Sequence, residues 1–220
     1  MTRFAITPEV VLKAYSVGLF PMAESSEDES LYWVDPDKRG VFPLDAFIVS
    51  RSLAKTVRSD RFDVSVDVDF DAVIEGCARR VGAHGVERTW INPEIRRLYR
   101  ELFARGHVHT VEARENGELV GGLYGVAMRG GFFGESMFHH ARDASKVALT
   151  HLVARLRLGG YVLLDTQFVT DHLATLGAVE IPRAAYREQL GVAMAKRPDE
   201  TVWRRPLSGR EALDVVKPGA

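Results

Sequence analysis

The fold is decided by residues 108–138, which read VHTVEARENGELVGGLYGVAMRGGFFGESMF. Three strands are predicted here, at residues 108–114, 118–128 and 131–138, because each segment is rich in β-branched and aromatic side chains. Tight turns at Glu115-Asn116-Gly117 and Arg129-Gly130-Gly131 separate them. Short turns of this kind join antiparallel neighbours. We therefore predict an antiparallel meander.

The residues after the meander predict a crossover. Asp143-Ala144-Ser145 begins a helix that runs to about Leu158, and Tyr161 to Gln167 form a nearly continuous apolar strand. A strand reached through a crossover helix lies parallel to its neighbour, and the crossover is right-handed. This order resembles the core of the GNAT acyltransferase fold. We predict an α/β (α+β) protein with a GNAT-like C-terminal domain.

A smaller N-terminal α/β domain is predicted ahead of this core. We assign residues 1–60 to it and residues 61–220 to the GNAT-like domain, with a boundary as late as about residue 90 left open. Helices are predicted from Thr7 to Gly18, over 50–59, 70–80, from Asn92 to Gly106, and around 171–176 and 183–190; short strands are predicted at 31–34, 41–44 and 62–68. The tail from Lys196 shows little periodicity.

Composition excludes several classes of protein. Lys and Arg number 29 against 30 for Asp and Glu, so a strongly basic coat is excluded, although a local basic face is not. The single Cys77 forms no internal disulfide, which fits a reducing compartment. The polar N-terminus is unlike a signal peptide, and no run of about 18 apolar residues is present. We expect a cytoplasmic protein with no membrane association.

Asp165 and Gln167 are the first candidate site residues. The period-two rule places Leu163, Asp165 and Gln167 on one strand face and Thr166 on the other. Open α/β sheets place their sites at the carboxyl ends of strands. The alternative is that Asp165 only caps the following turn.

Glu135 is the second candidate. The same rule places Glu135 on one face with Phe133 and Met137. A carboxylate among apolar side chains is paired, protonated or placed to meet a cation. Glu135 is therefore a candidate for binding an ammonium or guanidinium group, and a salt bridge to a neighbouring Arg is the alternative.

Other residues predict weaker sites. No pyrophosphate-binding motif of the R/Q-x-x-G-x-G/A kind precedes the helix that begins at Ala144, which argues against CoA as a donor. Arg142 and Lys146 near that helix start suit a phosphate or carboxylate anion. The histidines lack a companion acid at ligand spacing, so we expect no metal and no cofactor.

Tryptophan and arginine side chains suggest a nucleic-acid surface. A base can stack on Trp33 or Trp90, although ordinary core burial is the more common explanation for each. Arg96 and Arg100 share a helix face and can follow a phosphate backbone, although most such clusters are solvated faces.

A set of motifs, taken in order, resembles the leucyl/phenylalanyl-tRNA–protein transferase family. They are YSVGLFPM at 15–22, WVDPDKR at 33–39, TWI at 89–91, ELVGGLYGVA at 118–127, FFGESMF at 132–138, ASKVAL at 144–149, DTQFVTDHL at 165–173 and LGAVEIPR at 176–183. The resemblance spans about residue 5 to residue 190. FFGESMF followed by ASK, D-x-Q and EIPR is a specific combination, whereas any one of these motifs alone is not.

The resemblance implies an activity. The family moves Leu or Phe, and Met less well, from the 3′ end of its tRNA to an N-terminal Arg or Lys of a protein, which marks that protein for degradation by the bacterial N-degron route. It implies no metal and no ATP. The partners implied are leucyl- and phenylalanyl-tRNA and proteins with N-terminal Arg or Lys. We expect a monomer.

The resemblance also implies residue roles. Asp165 polarises Gln167, which helps to take up the proton of the attacking amine, and Glu135 meets the cationic acceptor residue. The transferred side chain would lie among Leu123, Phe132, Met137 and Leu152. Trp90, Met22 and Trp33 would hold the terminal adenosine, and basic side chains such as Arg96 and Arg100 would hold the acceptor stem.

Two alternatives remain at this point. One is a GNAT-like acyltransferase that uses CoA, against which the missing phosphate motif argues. The other is a non-catalytic module that binds tRNA or peptide, against which the presence of Asp165, Gln167 and Glu135 argues.

Overall fold

Residues 6–28, 30–79, 81–82, 85–86 and 89–217 are described by a computed structural model of the chain. Its elements, in chain order, are α1 Pro8–Ser16, β1 Phe20–Met22, β2 Tyr32–Val34, β3 Lys38–Phe42, α2 Arg51–Arg58, β4 Asp63–Val66, α3 Phe70–Ala78, β5 Val81–Gly82, β6 Gly85–Val86, α4 Pro93–Ala104, β7 Val108–Glu115, β8 Glu118–Met128, β9 Gly131–His139, α5 Ala144–Gly159, β10 Leu163–Gln167, α6 Asp171–Ala174, β11 Val179–Pro182, α7 Arg183–Ala195, the 3₁₀ helix η1 Glu200–Trp203 and α8 Gly209–Val216.

A seven-stranded mixed sheet forms the centre of the molecule, in the order β11-β3-β10-β9-β8-β7-β4. Strands β7, β8 and β9 pair antiparallel, so the predicted meander is confirmed. β10 pairs parallel to β9 after the helix α5, so the predicted parallel strand is also confirmed. The chain is thus a mixed α/β protein.

The central sheet draws strands from both ends of the chain. β3, which falls within residues 1–60, pairs antiparallel with both β10 and β11. A division of the chain near residue 60 remains a prediction. β3 lies before that position, yet it pairs within the same sheet as strands that lie after it.

Helices cover both faces of the sheet. On one face α5 packs with α2, α8 and η1 over a core that includes Leu123, Phe132 and Leu164. We call this the α5 face. On the other face α1, α3, α4 and α7 surround a second core that includes Tyr15, Tyr99 and Phe133. We call this the α4 face.

Local sequence explains several of these elements. The Asn92 side chain accepts a hydrogen bond from the Ile95 backbone N–H and Pro93 follows it, which begins α4 as predicted. Gly125 in β8 lies against the Phe132 ring, and a Cβ at that position would collide with it. The glycine lets an aromatic side chain lie directly on the sheet.

Some elements differ from the sequence prediction. The segments 31–34 and 41–44 do not form two pieces of one unit: β2 pairs with β1, whereas β3 enters the central sheet. The tail from Lys196 holds η1 and α8, although little periodicity predicted them. Ser208 and Glu211 form a capping box that begins α8. Within the described residues, no helix has the length and apolar character that a bilayer crossing requires.

Candidate active site

A β-bulge interrupts β9 at Glu135. Tyr124 of β8 pairs with Ser136 and Gly125 pairs with Gly134, so Glu135 between them has no cross-strand partner. A bulge of one residue reverses the faces of the residues beyond it. Phe133 consequently packs on the α4 face and Met137 on the α5 face. The prediction that Phe133, Glu135 and Met137 share one face is wrong.

A second irregularity lies in β10, opposite the first. β10 pairs with β9 only from Leu163 to Asp165, and its pairing with β3 shifts between Asp165 and Gln167. Gln167 has a φ of 57°, in the left-handed region. The irregularity turns Thr166 into the cleft, where it lines both cavities described below. The expectation that Thr166 points away from the site is therefore wrong.

The cleft at these two irregularities holds two adjoining cavities. The larger has a volume of about 570 Å³ and the smaller about 90 Å³. The residues that line both are Glu135, Ser136, Met137, Thr166 and Leu173. A group that extends from one cavity into the other would therefore pass the Glu135 carboxylate.

Glu135 is surrounded by hydroxyl donors. The Tyr15 hydroxyl donates to its Oε1 at 2.6 Å and the Tyr99 hydroxyl to its Oε2 at 3.0 Å. The Gln167 amide Nε2 also donates to Oε1, at 3.2 Å. Burial raises the pKa of Glu135 to about 7, although the two tyrosine hydrogen bonds oppose the rise. Among the described residues the partners of Glu135 are hydroxyl and amide donors rather than an Arg, and its carboxyl titrates near neutrality.

Asp165 lies behind the cleft and is fully buried. Arg39 holds it with Nε at 2.9 Å from Oδ1 and Nη2 at 2.7 Å from Oδ2. The Tyr186 hydroxyl donates to Oδ2 at 2.7 Å, and the Gln167 backbone N–H donates to Oδ1 at 2.8 Å. Asp165 thus caps the turn at Gln167, as the alternative interpretation predicted, and the Gln167 group that it binds is the backbone N–H.

The structure brings together only some of the residues predicted for the apolar side-chain pocket. Leu123, Met137 and Leu152 line the smaller cavity together. Phe132 does not: its ring is fully buried against Trp203, with 5.6 Å between ring centroids. Phe132 packs on the α5 face, as Met137 does, but it lies earlier in β9, where Trp203 covers it, so it does not reach the cavity. Sequence reasoning missed other apolar residues of this wall, which are Phe42, Leu149, Leu164 and Leu173.

The predicted adenosine-binding residues divide into two groups. Met22 and Trp90 line the larger cavity, together with Phe20 and Phe168. Trp33 does not line the cleft and instead borders a concave surface against α1, beside Val10. Trp33 lies in β2, opposite Pro21 of β1, and its side chain contributes to this surface beside α1 instead.

The predicted basic pair on α4 does not line the cleft. Arg96 is ion-paired with Glu75, and Arg100 lies 2.5 Å from Asp71. Both acids belong to α3. Since α3 and α4 pack side by side, these arginines pair across two helices rather than facing the site.

Tyr15, Tyr99 and Arg39 are functional candidates that sequence reasoning did not single out. They lie 120, 36 and 126 residues from the acids that they contact. The motif at 15–22 and the motif at 33–39 contain Tyr15 and Arg39, which is the one signal that pointed to them. Among the described residues, no group of three or more His, Cys, Asp or Glu side chains is placed to hold a metal ion.

A titratable carboxylate beside an amide and an apolar cavity, all opening into one cleft, is typical of an enzyme active site. Comparison with known proteins specifies the class. Residues 41–191 match the family model described as leucyl/phenylalanyl-tRNA protein transferase, and residues 4–37 match the model of its N-terminal domain.

Curated relatives agree with the family models. The leucyl/phenylalanyl-tRNA–protein transferase of Rhodopseudomonas palustris (strain BisB18) is 57% identical over 213 residues, covering 96% of this chain and 92% of that protein. That of Nitrobacter winogradskyi is also 57% identical over 213 residues, covering 96% and 94%. That of Afipia carboxidovorans is 54% identical over 214 residues, covering 96% and 93%. The chain belongs to the leucyl/phenylalanyl-tRNA–protein transferase family, a family of aminoacyltransferases, and the resemblance in the sequence is confirmed.

Solved structures show a more distant likeness. A structure titled L-PGS from Bacillus licheniformis matches with a TM-score of 0.39 at 14% identity, over 78% of this chain and 56% of that one. The C-terminal domain of a putative lysylphosphatidylglycerol synthetase from Agrobacterium fabrum matches with a TM-score of 0.39 at 12% identity, over 86% and 63%.

Proposed function

We propose that this protein transfers Leu or Phe, and Met less well, from aminoacyl-tRNA to the N-terminal Arg or Lys of acceptor proteins. Membership of the family supports the reaction type. The observation that carries the proposal for this site is the position of Glu135, which lines both cavities of the cleft. A carboxylate there can meet the cationic end of an acceptor while the other cavity holds the transferred side chain.

The reaction exchanges an ester for an amide. The acceptor's α-amine attacks the carbonyl carbon of the aminoacyl ester, a C–N bond forms and the ester C–O bond breaks. The ribose oxygen leaves and takes up a proton, and the amine loses one. The ester is already activated, so catalysis needs mainly the alignment of two substrates and a neutral amine.

The two cavities divide the donor between them. The transferred side chain lies in the smaller cavity among Leu123, Met137 and Leu152, and the terminal adenosine lies in the larger cavity between Met22 and Trp90. The small volume and apolar wall of the first cavity support this assignment. Discrimination among Leu, Phe and Met is modest, because one methylene in an apolar pocket is worth about 1–3 kcal/mol.

Gln167 positions the attacking amine. Its Nε2 donates to Glu135, and its backbone N–H donates to Asp165, so both ends of the residue are fixed. A neutral amide is a weak base, so the leaving ribose oxygen is the final proton acceptor and the Gln167 amide oxygen guides the transfer. Asp165 acts on Gln167 by fixing the turn that carries it.

Further features complete the proposal. The core β7–β8–β9–α5–β10 is GNAT-like, which the parallel pairing of β10 and β9 across α5 supports. The chain divides near residue 60, and the family models, which meet between residues 37 and 41, support a division in the first part of the chain. We also propose that the protein works in the cytoplasm as a monomer without metal or cofactor.

Transfer to a peptide tests the proposed function. The protein is incubated with leucyl-tRNA and a peptide that begins with Arg, in the absence of CoA and ATP, and the peptide mass is measured. We expect the peptide to gain one leucine at its N-terminus. A CoA-dependent acyltransferase would leave the peptide unchanged until acyl-CoA is added, and a binding module would leave it unchanged under both conditions.

A further inference from the structure

A third cavity of about 420 Å³ opens beside the larger cavity of the cleft. Its lining residues are His139, His140, Arg142, Asp143, Ser145, Lys146 and His172. We call this the histidine groove. His139, Ser145 and His172 also line the larger cavity, so the groove and the cleft are adjoining parts of one opening.

The fixed charges of the histidine groove are positive in sum. Arg142 and Lys146 face one carboxylate, that of Asp143: the Lys146 Nζ lies 3.1 Å from its Oδ1 and the Arg142 Nε 3.8 Å from its Oδ2. The Arg142 side chain is 86% exposed, so its remaining guanidinium donors face solvent. Imidazoles add further N–H donors to the same wall. Such a wall favours an anion that accepts several hydrogen bonds.

We propose that the histidine groove binds the phosphate groups on the 5′ side of the donor's terminal adenosine. This inference rests on the proposed function. An adenosine that carries its ester on the ribose continues into the preceding nucleotide through its 5′ phosphate. If the adenosine occupies the larger cavity, that phosphate must leave through an adjoining opening, and the histidine groove is adjoining and cationic.

The position of the predicted basic pair supports the same assignment. Arg96 and Arg100 are each paired with an acid of α3 and do not line the cleft. The groove instead offers Arg142 and Lys146 next to the cavity that would hold the base. A phosphate there would compete with Asp143 for both cations, so Asp143 limits the affinity of the groove.

Binding of two stable donor analogues tests the groove without relying on catalysis. One is 3′-leucylamido-adenosine, which has no phosphate, and the other is the same group at the end of a cytidyl-cytidyl-adenosine trinucleotide. Dissociation constants are measured by calorimetry. Arg142→Gln should weaken the trinucleotide roughly fivefold, the scale of one exposed ion pair, and leave the adenosine unchanged. Its salt dependence should fall by about 0.7 in logarithmic slope.

Asp143→Asn supplies the opposite change. Asp143 makes no side-chain cap to α5, so the substitution removes a charge without removing a cap. It should tighten the trinucleotide a few-fold, because Arg142 and Lys146 lose their competing carboxylate. The adenosine analogue should bind as before.

Arg210→Gln is the matched control, since Arg210 is an exposed arginine on α8 and does not line the groove. Equal effects of Arg142→Gln on both analogues, or none on the trinucleotide, would overturn the groove assignment. If the donor-specific effects appear but no leucine reaches the peptide in the transfer assay, the groove stands and the proposed function fails.

Discussion

Two carboxylates lie on neighbouring strands of one cleft, yet their surroundings differ in kind. Asp165 in β10 is fully buried and held by the Arg39 guanidinium. Glu135 in β9 is only partly buried and accepts from the hydroxyls of Tyr15 and Tyr99, which carry no charge. Asp165 is thus paired with a cation of the protein itself, whereas Glu135 has uncharged hydroxyl partners and a pKa that burial raises to about 7.

The largest effect is expected from a change of Asp165, the acid that is paired with an arginine. Asp165→Asn leaves the Arg39 guanidinium, which is 1% exposed, without its carboxylate. We expect a loss of about 3–5 kcal/mol in unfolding free energy, the cost of an uncompensated buried charge. The midpoint and slope of urea unfolding measure it.

Asp71→Asn is the control for this change. The Arg100–Asp71 pair is 65% and 61% exposed, so its loss should cost less than about 1 kcal/mol. Equal losses for the two variants would contradict the view that Asp165 is a structural acid.

Glu135→Gln tests the other side of the comparison. The amide keeps the size of the side chain but removes the charge that an acceptor cation would meet. We expect kcat/KM for an Arg-starting peptide to fall by about tenfold to a hundredfold, the scale of one hydrogen bond to a charged group. Affinity for the leucylamido-adenosine analogue should change little, and an equal loss of both would count against an acceptor role.

Trp90→Ala tests whether the larger cavity binds the adenosine. Trp90 lines the larger cavity, where we place the adenine ring. Its loss should weaken the leucylamido-adenosine analogue by about 1–3 kcal/mol, the scale of base stacking, as calorimetry would measure. Trp33→Ala, outside the cleft, should leave that affinity unchanged.

The smallest effect is a pH dependence of stability. Burial raises the pKa of Glu135 from 4.5 to about 7, so between these values the folded state retains a proton that the unfolded chain has lost. Stability that Glu135 contributes below pH 4.5 is therefore lost as pH rises toward about 7. The carboxyl is partly exposed, so we expect a change on the order of 1 kcal/mol.

The matching measurement is urea unfolding at pH 5 and pH 7.5 for the native chain and for Glu135→Gln. The native chain should lose more stability over this interval than the variant does. Activity should change in the opposite direction. A cationic acceptor binds the ionised carboxylate, so kcat/KM of the native chain should increase as the pH rises through 7. If Glu135→Gln shows the same pH dependence of stability and of kcat/KM as the native chain, the group that titrates is not Glu135.

The sequence predicts the strands and the family well, and the site less completely. The meander over 108–138 and the helix start at Asn92 agree with the structure. Faces beyond the bulges are where prediction failed: Met137 lies on the opposite face from Phe133, and Thr166 lines the cleft. Alternation is a rule for regular strands, and a bulge changes it by one residue without a clear mark in the sequence.

What the sequence by itself determined is local: strand alternation, turn and cap residues, and an ordered set of motifs that identify the family. These depend on residues a few positions apart and on side-chain type, both of which are readable from the chain. Only the tertiary structure decided the environments of the two acids. Tyr15 reaches Glu135 from α1 and Tyr99 reaches it from α4, and Arg39 reaches Asp165 from β3, because packing of both sheet faces brings distant segments against the same pair of strands.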